Sequence, residues 1–478
     1  MKIKEYLEGH PFVRNFSVLT IGQFCARAIN MITNVILVRW LEPTGYGEYT
    51  FFLTFIAIFG VVASLGMNYI INRYVARNQE KSRKYLYICY LWRFNGFILA
   101  AVALLAYNYL REDGFSTFII VSLLIGIALE SYWAALQSVA FGMQHMEWNS
   151  LIEVISAVTI AVTYISIQLI DPSQLTVEFV IIIHLVIILL KNIFYRITLQ
   201  SQNLITGHFT WNQISIKDLK LIILQGFPFY VLAMVGLFTN QFPIIFLEQN
   251  AGIEEVAYFN ATNKLLLPLT ILLSTALTAL FPNQAKLFKT NEDLYWKHVE
   301  KMFLFLVVFG GAFSLFFSLF RNEMVVLLYG IKYVNTGNVM ALQCWYIVLF
   351  ALFSLNGNAL GASDRQKILS YESIGFAIIT TPIIYYTSHQ GAEGLSMGYC
   401  MASVINMLFL YTILIKVSRN RLTITKILKM MVFLFIPILL SIFIPVNSNI
   451  IIRFFCVLSY MYLLFILYSK KYLIFLDK

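Results

Sequence analysis

Long apolar stretches separated by short polar connections run through almost the whole chain. Fourteen stretches can be delimited, and most are long enough to cross the roughly 30 Å hydrocarbon core of a bilayer as an α-helix. We therefore predict an all-α polytopic membrane protein with about 14 transmembrane helices. The predicted spans are residues 13–38, 49–71, 86–107, 115–141, 149–170, 176–195, 220–247, 256–284, 301–320, 339–361, 368–387, 394–415, 428–446 and 450–468.

The composition supports a membrane protein and excludes a soluble cytosolic enzyme. Of the 478 residues, 59% are hydrophobic and 12% are charged, whereas soluble proteins have about 25% charged residues. If the N-terminus is cytoplasmic, 26 of the 34 Lys and Arg residues fall at cytoplasmic ends and five fall outside. This distribution follows the positive-inside rule and predicts that both termini are cytoplasmic. The net charge of +10 is therefore an orientation signal beside membrane lipids, and no nucleic-acid partner is expected.

The first span carries a polar stripe. Gln23, Arg27, Asn30 and Asn34 are separated by steps of four, three and four residues, which places them on one face of a helix. Arg27 lies near the middle, where an arginine costs about 2.5–3.5 kcal/mol on insertion scales. The stripe must therefore face other protein or a hydrated cavity, and we interpret its four residues as candidate substrate-binding residues.

Four further residues extend this candidate site. Lys264 lies in the eighth span with Asn260 one turn before it and Asn263 next to it, and Asn68 lies four residues after Ser64 in the second span. Fixed cations suit an anionic phosphate group, because charge attraction is strongest where water is scarce. The alternatives are that Lys264 reaches the interface and that the asparagines hydrogen-bond between helices.

Three charged residues lie in the third to fifth spans. They are Arg93, Glu130 and Glu153. One reading is an ion-coupling site within the first lobe, since ionisable residues inside a membrane are often functional. The other, which we favour, is a salt bridge from Arg93 to Glu130 or Glu153 that holds the lobe together. His184 in the sixth span is expected to be a hydrogen-bonded core residue.

An internal repeat predicts the domain organisation. Gly22 to Glu42 in the first span resembles Gly226 to Glu248 in the seventh, at an offset of about 205 residues. The repeat predicts two halves of six helices in the same orientation, as in transporters with parallel repeats. The predicted units are an N-terminal lobe at 1–216, a C-terminal lobe at 217–416 and two appended helices at 417–478.

A series of short motifs resembles the polysaccharide flippases of the multidrug/oligosaccharidyl-lipid/polysaccharide exporter superfamily. The first motif, Leu37 to Tyr49, is similar to the turn after their first helix, although Glu42 stands where the family usually has glycine. The others occur in the family's order between residues 13 and 415. They are Leu65-Gly66 with Arg73, Gly226-Phe227-Pro228, Phe281-Pro282, Leu328-Tyr329-Gly330 with Tyr333, and Gly391 to Gly394.

The resemblance implies a fold and a cargo. The fold would be a V-shaped pair of six-helix lobes whose first, second, seventh and eighth helices line a central cavity. The cargo would be an oligosaccharide on undecaprenyl diphosphate, moved across the plasma (inner) membrane for O-antigen or capsule synthesis. A polysaccharide polymerase and a chain-length regulator would be its protein partners.

Two other classes of protein fit the sequence less well. A cation-coupled multidrug antiporter of the same superfamily would favour acids in the cavity, whereas this chain offers Arg27 and Lys264. A membrane-embedded glycosyltransferase would need acidic pairs in an outer loop to hold a metal and a base, but Glu112-Asp113 and Glu254-Glu255 lie in short loops. A glycan polymerase would need a large outer loop, and the longest predicted here is Arg321 to Val339. The chain has no GxxxxGK[ST] motif for nucleotide hydrolysis. We expect a non-enzymatic carrier without a cofactor or metal.

Overall fold

The computed structural model describes residues 11–171, 175–207, 216–363, 365–419, 424–445 and 448–471. Lys2, Lys4, Arg421 and Lys478, which contribute to the predicted charge asymmetry, lie outside these ranges. The regular elements are sixteen α-helices and two short 3-10 turns, Gln79–Lys81 and Ile331–Tyr333. The helices are α1 Pro11–Ser64, α2 Met67–Arg77, α3 Ser82–Leu110, α4 Thr117–Gly142, α5 Met146–Ile170, α6 Val177–Ser201, α7 Ile216–Asn240, α8 Phe242–Ala251, α9 Ile253–Thr290, α10 Glu292–Leu319, α11 Arg321–Tyr329, α12 Thr336–Ala362, α13 Gln366–Ser388, α14 Gly391–Val417, α15 Ile424–Phe443 and α16 Ile450–Lys471.

The predicted all-α polytopic architecture is confirmed. Among the described residues, nine helices are long and apolar enough to cross a membrane. Large apolar side chains also cover outward faces, including Leu169 at 80% exposure, Phe194 at 61% and Ile378 at 68%. A soluble protein rarely exposes apolar patches of such extent. These outer faces are therefore suited to lipid hydrocarbon.

The helix α1 contains a sharp corner at Glu42. This residue has φ 57° and ψ 171°, so α1 consists of two helices joined at a kink. Pro43 follows directly, and a proline disfavours helical geometry in the residue before it. The family's usual glycine adopts positive φ without strain. In this chain a glutamate holds the same corner.

A second break follows α1, at Leu65 and Gly66, and α7 packs against it. Leu65 and Gly66 both have positive φ, 46° and 74°, and α2 starts one residue later. A side chain at Gly66 would collide with the carbonyl oxygen of Gly226 on α7. The glycine thus permits α7 to approach the break closely. Arg73 on α2 strengthens this contact by donating a hydrogen bond to the side chain of Gln225 on α7.

The chain divides into two compact units, residues 1–244 and 245–478. In the first unit, buried residues from α2 to α7 form one apolar core that includes Ile71, Leu136 and Tyr195. In the second unit, Leu315 and Leu319 of α10 pack with Val457 and Tyr460 of α16. The contact boundary lies after α7, whereas the repeat-based boundary lies at 216. The assignment of two six-helix lobes and an appended pair stays a prediction.

Replacement of Glu42 tests the strain at the corner of α1. Glu42→Gly should unfold at a higher temperature than Glu42→Ala, because alanine retains a Cβ at a backbone geometry that costs about 1–3 kcal/mol. Both variants lose the same carboxylate, so their difference isolates the backbone effect. The measurement is the midpoint of thermal unfolding of each purified variant in detergent. Equal midpoints would contradict a strained corner.

Candidate functional site

A cavity of about 480 Å³ lies inside the first unit. Helices α1 to α4, α6 and α7 contribute to its wall. Tyr69 and Phe229 form a stacked pair on this wall, with ring centroids 5.3 Å apart. The polar lining residues are Ser64, Asn68, Arg93, Glu130, Ser131 and His184.

Arg93 is the buried cation of this cavity. Its side chain is only 4% exposed, and its guanidinium donates a hydrogen bond to Asn68 Oδ1. Asn68 lies just after the break at Leu65 and Gly66, so the bond ties the start of α2 to α3. Among the described residues the Nε of Arg93 has no hydrogen-bond acceptor. The cavity therefore presents a guanidinium with donor capacity left over.

The predicted salt bridge from Arg93 to Glu130 or Glu153 is not formed. Within the described ranges, no ion pair of 4.0 Å or less joins Arg93 to either carboxylate. Lys191, Glu153 and Arg93 all lie close enough to Glu130 to act on its charge. Two acids and two bases therefore share the interior of the first unit, which makes this cluster electrically balanced.

Lys191 is the member of this cluster that the sequence assignment missed. Lys191 is one of the 26 Lys and Arg residues that the sequence analysis counts at cytoplasmic ends, but it lies within α6, ten residues before Ser201. Its Nζ is 3.8 Å from the ring centroid of Trp133 on α4, a favourable cation–π distance. Lys191 lies inside the predicted span 176–195, and this position could have indicated that its charge is within the helix bundle.

Glu153 and His184 are held by hydrogen bonds. Asn149 donates to Glu153 at 3.4 Å and accepts from Gln137 at 3.0 Å. His184 Nδ1 lies 3.2 Å from the hydroxyl of Tyr49. The predicted hydrogen bond of His184 is present, but the residue is half-buried and lines the cavity instead of lying in the core.

The residues of the polar stripe of α1 differ in their contacts within the described chain: Asn34 is hydrogen-bonded, and Arg27 is not. Asn34 accepts a hydrogen bond of 2.8 Å from the buried Tyr46, which lies beyond the corner at Glu42. Arg27 and Asn30 are exposed, and Gln23 is half-buried. Across the described residues, Arg27 has neither a hydrogen bond nor an ion pair. Its charge is therefore uncompensated within the part of the protein that the structure describes.

The second unit contains the second cation of the predicted site, Lys264. Lys264 and Asn263 are exposed on α9, and Asn260 is half-buried one turn earlier. The Nδ2 of Asn260 is buried without a hydrogen-bond acceptor in the described chain. Lys264 likewise has no hydrogen bond or ion pair among the described residues. These three residues therefore form a polar group on α9 with unused donors.

One acid of the outer-loop pairs has a structural partner. Glu255, in the first turn of α9, accepts a hydrogen bond of 2.6 Å from the backbone N–H of Ala392. Ala392 lies in the first turn of α14, where backbone N–H groups lack helical partners. Glu255 thus caps α14, a role that does not suit a metal ligand or catalytic base of a glycosyltransferase.

A comparison with protein families decides the family of this chain. The model of the polysaccharide biosynthesis protein family matches residues 12–288, more than half of the sequence. The chain belongs to the polysaccharide biosynthesis protein family. This membership confirms the resemblance drawn from the motifs, and the matched range includes Arg27, Arg93 and Lys264. No curated protein sequence matches the chain.

Solved structures of transporters share the fold of this family member. The lipid II flippase MurJ, in an inward closed conformation, has a TM-score of 0.69 at 15% identity, over 96% of this chain and 99% of the flippase. An inward-facing multidrug resistance MATE family transporter of the MOP superfamily has a TM-score of 0.60 at 14% identity, over 83% and 96%. A MOP superfamily transporter from Pyrococcus furiosus has a TM-score of 0.54 at 14% identity, over 83% and 95%. The chain therefore has the fold of MOP superfamily transporters.

If Arg93, Glu130, Glu153 and Lys191 neutralise one another, the effect on stability of removing one charge depends on whether the others are present. Lys191→Met should lower the midpoint of thermal unfolding, because it leaves two carboxylates against one guanidinium at a cost of about 1–3 kcal/mol. The double variant Lys191→Met/Glu130→Gln should recover most of this loss, since it restores the balance. Additive losses in the double variant would contradict a shared cluster.

Proposed function

We propose that this protein is a flippase for undecaprenyl-diphosphate-linked oligosaccharide repeat units. It would move them from the cytoplasmic to the outer leaflet of the plasma (inner) membrane by alternating access, with both termini cytoplasmic. Membership in the polysaccharide biosynthesis family and a fold similar to a lipid II flippase support this proposal. The product of such a step feeds surface polysaccharide synthesis, so a polysaccharide polymerase and a chain-length regulator are the proposed partners.

The observation that carries the proposal is the unpaired charge of Arg27. An arginine near the middle of a span needs a partner, because lipid offers none. The described residues provide no ion pair for Arg27, whereas the interior cluster of the first unit is balanced. A diphosphate supplies the missing negative charge, and a guanidinium binds phosphate oxygens in a two-pronged geometry.

Lys264 supports the same reading from the second unit. Its ammonium is exposed and unpaired among the described residues, beside the exposed amide of Asn263. A lysine binds phosphate as a mobile point charge, and an amide suits the hydroxyl groups of a sugar. A headgroup that combines phosphate and sugar matches both kinds of group.

One observation favours the rival function, a cation-coupled multidrug antiporter. Glu130 lines the cavity of the first unit and is the kind of acid that such a carrier uses. Arg93 and Lys191 oppose its charge, however, so the cavity has no excess negative field. Glycan export and drug resistance, measured in the same deletion strain, distinguish the two functions.

Arg27 provides the first test. Arg27→Ala should abolish the export of surface polysaccharide, and Arg27→Lys should retain part of it, because lysine keeps the charge and loses the two-pronged contact. Export is measured as surface polysaccharide per amount of membrane protein. The control is Arg77→Ala, which removes an exposed arginine from the last turn of α2. Normal export by the Arg27→Ala protein would refute the proposed role.

Lys264 has no partner among the described residues, whereas Arg93 belongs to a cluster with two acids. Variants of these two cations can therefore be compared. Lys264→Ala should reduce export per protein molecule more than Arg93→Ala does, because Lys264 is free to bind cargo. Arg93→Ala should instead lower the amount of folded protein, since Arg93 holds Asn68. Fluorescence-detected size-exclusion chromatography gives that amount. Equal export defects after this correction would count against Lys264 as a cargo-binding residue.

A further inference from the structure

An apolar groove of about 330 Å³ lies between α13 and α14 in the second unit. These two helices are joined by a two-residue connection, His389-Gln390, and pack side by side. The lining positions extend from Ile368 to Ile379 on α13, a rise of about 16 Å along a helix. Its apolar wall consists of Ile368, Phe376, Ile379, Ile405, Phe409 and Ile413.

A buried carboxyl group interrupts this apolar wall. Glu372 lines the groove and is only 4% exposed, yet neither of its oxygens accepts a hydrogen bond from the described residues. Asn406 is 5% exposed and lies across the groove, close enough for its amide to interact with the Glu372 carboxyl group. No hydrogen bond is formed between the two side chains, and Asn406 Nδ2 has no other acceptor in the described chain. A carboxyl and an amide with unused capacity in an apolar groove indicate a ligand with both donors and acceptors.

A glycine next to this pair leaves the groove open. A Cβ built on Gly375, which also lines the groove, meets no atom within 4 Å. Gly375 lies one turn after Glu372 on α13, so the space that its missing side chain leaves adjoins the carboxyl group. The pair is therefore accessible to a ligand without movement of the helices.

The rim of the groove is apolar and exposed, as suits a surface in contact with lipid. Large side chains along its rim are exposed, with Tyr371 at 77%, Ile379 at 51% and Phe409 at 54%. Ile378, on the outer face of α13, is 68% exposed. A ligand that enters from this side comes from the lipid phase and has an apolar chain.

The position of Glu372 along α13 indicates that the polar end of a bound lipid contacts this residue. This residue lies six positions after the start of α13, about 9 Å from that helix end. The remaining wall, from Phe376 to Ile379, is apolar. A lipid whose polar headgroup lies toward the helix end can thus bring a cation to Glu372 and lay one chain along the apolar part.

We propose that this groove binds a phospholipid with a primary-amine headgroup, of the phosphatidylethanolamine class. The ammonium donates hydrogen bonds to the Glu372 carboxylate, and Asn406 Nδ2 donates to a phosphate or ester oxygen of the same lipid. One acyl chain fills the space over Gly375 and the apolar wall. A primary ammonium has three N–H donors, whereas a quaternary ammonium has none and a glycerol headgroup has no charge to match the carboxylate.

Lipid retention by the full-length protein tests this proposal independently of transport. The protein is reconstituted in vesicles of equal parts phosphatidylethanolamine, phosphatidylcholine and phosphatidylglycerol with identical chains, extracted in detergent and washed. Bound lipids are quantified by mass spectrometry. The amine lipid should be enriched about tenfold over each of the others, as expected for one additional charge-assisted hydrogen bond.

Two variants separate the headgroup from the chain. Glu372→Gln keeps the shape of the side chain and should abolish the enrichment while lipid is still retained. Gly375→Leu fills the groove and should reduce the total retained lipid. Ile378→Leu, on the lipid-facing side of the same helix, is the control and should change neither quantity. Unfolding midpoints verify that each variant is folded.

The opposite results overturn the proposal. Equal retention of the three lipids by the unaltered protein would mean that the groove binds only a chain, or that a proton alone neutralises Glu372. Enrichment that persists in Glu372→Gln would place the headgroup elsewhere. Unchanged total lipid in a folded Gly375→Leu protein would exclude the groove as the binding site.

Discussion

An ionised side chain inside hydrocarbon has to be neutralised by other charges of the protein, by water or by a ligand, because lipid offers no partner. Four ionisable side chains in the interior of the first unit meet this constraint among themselves. Arg93, Glu130, Glu153 and Lys191 offer equal numbers of positive and negative charges, and Asn68 and Trp133 provide further contacts to the two cations. These contacts join α2 to α3 and α4 to α6, so charge balance and helix packing depend on one another.

The charges without such compensation indicate where the protein meets other molecules. Arg27 and Lys264 lack partners among the described residues, and the proposed anionic cargo would satisfy both. Glu372 has the opposite charge and lies in an apolar groove, so a cationic headgroup satisfies it. The sign of the unpaired group therefore separates a proposed path for cargo from a proposed site for membrane lipid.

The sequence predicted the helices more completely than the contacts of their side chains. Each of the fourteen apolar stretches overlaps a helix, because helices in a membrane are selected by length and hydropathy alone. The partner of Asn34 could not be predicted, since Tyr46 reaches it only across the corner at Glu42. The partner of Arg93 lies 25 residues earlier and was misjudged as a carboxylate. Such pairings depend on how helices pack, which periodicity does not encode.

At the break between α1 and α2, the hydroxyl group of Ser64 makes hydrogen bonds that water would make in a soluble protein. An interrupted helix leaves amide and carbonyl groups without their usual partners, and in a membrane those groups have little access to water. Ser64 Oγ donates to the carbonyl oxygen of Val61 at 2.8 Å and accepts from the N–H of Gly66 at 3.3 Å. Ser64 thus satisfies one backbone carbonyl and one backbone N–H group without a water molecule. The bend can therefore persist when the adjoining cavity is dry.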